Sequence, residues 1–111
     1  MEIFTETIAN YVSPANGSSP MWSFGSPTIV RNGDYLYASV METDPEAVPL
    51  DNTVLTLYQK YQDEPWERVF RDSFLQREPC PLAVLPGRLI VSTNPSLRPK
   101  KTSGAHDYRN H

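Results

Sequence analysis

The chain has 111 residues, 39% of them hydrophobic, a net charge of −3 and a single cysteine. This is enough for one domain or part of one. It gives no broad basic field for nucleic acid, no internal disulfide, and no apolar run near the ~20 residues that cross a bilayer.

The opening Met1-Glu2-Ile3-Phe4-Thr5-Glu6 is acidic where a secretory leader is basic. That makes the cytoplasm the default location and leaves open the loss of a leader from a truncated gene. Ile3 to Val12 is rich in β-branched and aromatic residues and is expected to form a strand. Ser13 to Pro20 reads as a loop, and its Asn16-Gly17-Ser18 sequon carries no weight without a leader.

Two apolar runs, 27–31 and 35–42, then flank Asn32-Gly33-Asp34. A primed turn needs positive φ, so this arrangement predicts a tight hairpin. Pro45 and Pro49 break a polar loop. Residues 52–61 alternate Val54, Thr56, Tyr58 and Lys60 against Leu55, Leu57, Gln59 and Tyr61, the pattern of a two-faced strand. After Gln62-Asp63-Glu64-Pro65, residues 66–71 complete four strands. Eleven prolines, roughly twice the average share, favour short elements joined by turns, and no segment keeps a helical period. The fold class expected is all-β.

The hairpin recurs. Pro27, Val30 and Gly33 find counterparts in Pro81, Val84 and Gly87, each 54 positions on. With one residue dropped in the turn, Leu36 and Ser39 match Leu89 and Ser92. The spacing is close to the one-blade period of a β-propeller, roughly 40–50 residues, although an antiparallel sandwich or barrel contains similar hairpins. The expectation is a partial β-propeller, with one four-stranded antiparallel blade (about 20–71) and the first hairpin of a second (about 78–97). Residues 98–111 are polar, carry no strand pattern, and are expected to be a disordered tail.

The stretch Asn16-Gly17-Ser18-Ser19-Pro20-Met21-Trp22-Ser23-Phe24-Gly25-Ser26-Pro27-Thr28-Ile29-Val30 resembles the opening blade of sialidase-like (BNR-repeat, neuraminidase superfamily) propellers. Arg77-Glu78-Pro79-Cys80-Pro81-Leu82 and Val91-Ser92-Thr93-Asn94-Pro95 look like the start of their next blade. The likeness spans roughly residues 8–97, within a fragment domain of 1–97. It implies a carbohydrate-related propeller of the glycoside hydrolase superfamily. The family's Phe-Arg-Ile-Pro motif, whose arginine suits a bidentate hold on a carboxylate, is here Phe24-Gly25-Ser26-Pro27, so that arm is missing. Trp66 fits the tryptophan of the family's Asp-box, but Tyr61 and Asp63 stand where its aspartate and glycine belong. Whether the parent protein is an enzyme stays open.

On this reading the residues entering each inner strand are the site candidates: Trp22, with Met21, Phe24 and Ser26, in the first blade, and Arg77, Glu78 and Cys80 in the second. Trp22 either stacks on a sugar ring or caps the core between blades. Arg77 and Glu78 either bind a carboxylate and a hydroxyl or form a solvated pair. Asn94 either bonds a ligand or marks a turn. Asp34 and Asp63 read as turn residues, Cys80 as a small buried hydrophobe, and His106 and His111 as tail residues without metal-ligand spacing.

No cofactor is expected. The partners expected are a carbohydrate ligand and, through an open sheet edge at 88–92, a second copy of the chain. Two functions follow: a fragment of a sialidase-like propeller that is inactive alone, or a small carbohydrate-binding or interaction module that completes its sheet by oligomerising. In the second, the Ile3–Val12 strand would be donated to a neighbour.

Overall fold

The computed structural model describes residues 3–15, 27–47 and 52–96. Trp22, Met21, Phe24, Ser26, most of the opening-blade motif, both histidines and the 98–111 tail lie outside them.

The described residues are all-β, without a helix. Strands β1 (Ile29–Asn32), β2 (Tyr35–Thr43), β3 (Thr53–Tyr61) and β4 (Glu67–Gln76) form one antiparallel sheet in the order β1-β2-β3-β4. Strands β5 (Leu82–Leu85) and β6 (Arg88–Val91) form a separate antiparallel pair. The sheets do not close into a barrel.

In an antiparallel ladder, directly paired residues point to the same side. One face of the large sheet therefore carries Ser39, Met41, Leu55 and Leu57, and the other carries Ala38, Val40, Val54, Thr56 and Tyr58. The β5–β6 hairpin packs on the first face, where Met41, Leu55 and Cys80 form a buried cluster with Val91 against it. Central β3 is enclosed on both sides, and Thr53 to Leu57 are all buried.

Lys60, on the second face, anchors the N-terminal segment, and here the expectation of a strand over Ile3–Val12 fails. Residues 3–14 have no regular structure. They run as an extended strap held at both ends. Asn52 Nδ2 donates to the Pro14 carbonyl at 2.9 Å and Thr43 Oγ1 to the Val12 carbonyl. At the other end Lys60 Nζ pairs with the Glu6 carboxylate, which also accepts from Trp66 Nε1 at 3.1 Å. Strap backbone is thus tied by side chains, not by a ladder.

The two hairpins correspond more closely than the sequence suggests, and by a different alignment. Ile29 pairs with Ala38 and Leu82 with Val91; Ser39 N–H donates to the Thr28 carbonyl (2.9 Å) and Ser92 N–H to the Pro81 carbonyl (3.0 Å). Every one of these positions is displaced by 53 residues, with none dropped. Leu36 and Ser39 do match Leu89 and Ser92. Pro27, Val30 and Gly33 do not match Pro81, Val84 and Gly87; their true counterparts are Cys80, Ala83 and Pro86.

The cause lies in the turns. Gly33 (φ 62°) is the first central residue of its two-residue loop, the sign pattern of a type II′ turn. Gly87 (φ 70°) is the second, after Pro86, the pattern of type II. Aligning the glycines therefore misplaces the strand by one. The hairpins nonetheless sit side by side, with Leu82 N–H donating to the Pro27 carbonyl at 2.8 Å.

Strand β4 also runs past the expected end at 71, to Gln76. Its alternation is broken by two irregularities, where Asp72, Ser73 and Phe74 together face Leu55 and where Val69 is extra. Such bulges bend a strand and re-aim its side chains.

Candidate functional site

The larger bulge follows from Asp72. A short carboxylate competes with the ladder by accepting nearby backbone N–H groups. Asp72 Oδ1 accepts from Ser73 N–H at 2.8 Å and Phe74 N–H at 3.4 Å, which turns both amides away from β3. Phe74 is consequently 55% exposed at the sheet's outer strand.

Two clefts flank this point. The polar one, about 340 Å³, lies toward the strap face between Asp44, Arg71, Asp72, Ser73, Phe74 and Ser96. Ser96 is tied there by its N–H to the Leu75 carbonyl at 2.8 Å. Asp44 is set by the loop that closes β2 to β3, with its N–H on the Asn52 carbonyl at 2.8 Å and its Oδ1 accepting from Glu46 N–H at 3.0 Å. The apolar cleft, about 360 Å³, lies toward the second hairpin between Leu55, Phe70, Phe74, Val91 and Pro95.

At the end of β4 a fully buried Gln76 gathers three segments. Its Nε2 donates to Cys80 Sγ at 2.9 Å, its Oε1 accepts from Asn94 N–H at 2.9 Å, and its carbonyl accepts from Thr53 Oγ1. Cys80 is in turn held by its carbonyl, which accepts from Ser39 Oγ at 2.6 Å.

Of the expected site residues, Asn94 is brought against this node through its backbone. Arg77, half-buried, is the next residue along from Gln76, and Glu78 faces solvent. Trp22 lies outside the described residues. Cys80 is buried, in keeping with a small hydrophobe. Burial pushes its thiol up to about 12; the hydrogen bond from Gln76 opposes this and the Asp72 charge adds to it. At neutral pH the thiol keeps its proton and is no nucleophile. Burial, and then the 3.0 Å hydrogen bond donated to Glu42, also raise the Tyr58 phenol. Asp34 and Asp63 sit in turns, as expected. Among the described residues, no three His, Cys, Asp or Glu side chains gather where a metal ion would be held.

Asp72, Phe74 and Gln76 escape sequence reasoning. One signal was present: Asp72-Ser73 interrupts the apolar sequence Val69-Phe70 and Phe74-Leu75, as a bulge does.

No family model, curated protein or solved structure matches the chain.

Proposed function

We propose that the chain is a non-catalytic scaffold of the sialidase-like propeller type, one and a half blades long, that presents a carbohydrate-facing surface. The observation that carries this is the constant 53-residue displacement between the hairpins, with β5 set beside β1 and its hairpin stacked on the first sheet. Successive blades of a propeller repeat one sheet at a fixed offset and place their inner strands next to each other. The inert thiol of Cys80 and the glycine at position 25, in place of the motif's arginine, both fit a scaffold better than an enzyme. For a sugar, the polar cleft offers the needed mixture: the exposed Phe74 ring for an apolar sugar face, with Asp44, Arg71 and Asp72 for hydroxyls.

Titrating N-acetylneuraminic acid and galactose into ¹⁵N-labelled protein tests the carbohydrate part. Saturable shifts at Asp72, Ser73 and Phe74 are expected, and a spectrum unchanged at high sugar concentration abandons it.

A second reading is favoured by Phe70 and Phe74, exposed beside the apolar cleft: an interaction module that buries them by self-association. Light scattering on the size-fractionated protein separates the two. A discrete folded oligomer supports the module, and a monomer the scaffold.

A further inference from the structure

We propose that the outer edge of β6 is a docking edge for one β-strand from another polypeptide, antiparallel to β6 and seated in the apolar cleft between β6 and β4. The proposal rests on the two-sheet repeat of the scaffold reading and uses nothing from the carbohydrate assignment.

The 53-residue correspondence puts β6 where β2 lies in the first sheet. The outer edge of β2, at Leu36 and Ala38, carries β3. In a two-residue hairpin the pair closing the turn exchanges hydrogen bonds, and the next pair turns its polar groups outward. Leu85 and Arg88 close the second turn, so Leu89 and Val91, counterparts of Leu36 and Ala38, aim their N–H and C=O groups at the free edge. No strand pairs with that edge among the described residues. An open edge of this kind is a template for strand addition.

The cleft beside it continues an interface that already exists. Leu55 and Val91 belong both to the core between the sheets and to the cleft wall, where Phe70 and Phe74 stand half-exposed. A strand added to β6 would extend that core over both rings.

The first sheet shows the chemistry such a strand needs. In the equivalent place β3 turns Val54, Thr56 and Tyr58 to one side in strict alternation. The occupant is therefore a polypeptide segment with β-branched or aromatic residues at every second position. The chain's own Arg98-Pro99-Lys100-Lys101-Thr102-Ser103-Gly104 lacks this alternation.

The test uses the full chain and, as probe, a synthetic peptide of the β3 sequence, Asn52 to Tyr61, at millimolar concentration. Amide exchange at Leu89 and Val91 is expected to slow by about tenfold or more, with shifts of the Phe70 and Phe74 ring signals. A proline-interrupted scramble is expected to do neither, and Phe74→Ser to weaken the effect while leaving the Cys80 core signals in place. Four results would overturn the proposal: no change, ring shifts without slowed exchange, protection of both amides in dilute protein alone, or protection that appears only with a concentration-dependent dimer. The third assigns the edge to the chain's own residues and the fourth to a second copy. None of them decides the sugar titration, whose Ser73 signal reads the polar cleft alone, whereas Asp72 and Phe74 line both clefts.

Discussion

Gln76 Nε2 lies 2.9 Å from Cys80 Sγ, and the other end of the same amide accepts the Asn94 N–H at 2.9 Å, so one side chain joins β4, the entry to β5 and the exit from β6. A buried amide with both ends satisfied fixes its neighbours, and removing it strands their polar groups. Gln76→Leu keeps the volume and removes the bonds. It is expected to lower stability by about 2 kcal/mol in urea unfolding. In the variant, amides of 82–91 should exchange earlier than those of β3, because the hairpin has lost its tie to the large sheet.

Cys80 gives a pH dependence whose sign is fixed. Burial pushes its folded pKa up to about 12, above the ordinary thiol value of 9.0. The unfolded chain therefore releases the proton first as pH rises. The contribution of the protonated thiol is whole below pH 9 and is lost on climbing from there toward 12. Stability of the wild-type chain should fall across that window. Cys80→Ala, less stable at neutral pH, should show a shallower fall. Urea midpoints at pH 8 and pH 10.5 for both proteins check this. Thiol reagents at neutral pH should react slowly without denaturant and fast with it.

The contrast between what the sequence revealed and what it hid is physical. Strands β1 to β3 were legible because runs of β-branched and aromatic residues lie between turn signals and because Gly33 lies between two apolar runs. The repeat was legible too, but one residue out of step, since a glycine marks positive φ without saying which turn position needs it. The strap was misread because β-branched composition reports a preference for extended backbone, and extended backbone need not join a ladder. The end of β4 was lost to its bulge, which breaks the period that a reader follows. Arg77 and Glu78 read as residues entering a strand, and Asn94 as a ligand-bonding or turn residue after one. The structure gives Asn94 a backbone role on Gln76, and the residues that shape the clefts, Asp72 and Phe74, lie inside a strand.

Glu6 supplies a direct reading of the strap. Its carboxylate pairs with Lys60 and accepts the Trp66 indole N–H at 3.1 Å, half in solvent. Exposed pairs of this kind contribute ~1 kcal/mol or less and weaken with salt. Glu6→Ala should therefore cost under about 1 kcal/mol yet move the Trp66 indole N–H resonance markedly. High salt on the wild type should move it part of the way in the same direction. An indole signal indifferent to the substitution would mean that the strap does not lie over the second face.

Thr56 offers the opposite case, a position that a substitution should improve. It is fully buried on β3, on the face that also carries Lys60, and its Oγ1 has no hydrogen-bond partner among the described residues. A hydroxyl desolvated without compensation costs about 1–3 kcal/mol on the scale of protein mutational data. Valine has nearly the same shape, keeps the β-branch that suits a central strand, and replaces the buried oxygen with a methyl group. Thr56→Val is therefore expected to raise stability by about 1 kcal/mol, seen as a higher urea midpoint with an unchanged slope. A loss of stability would show that the hydroxyl is bonded in solution, through a bound water or a strap carbonyl, and that the strap sits closer to β3 than its two anchored ends require.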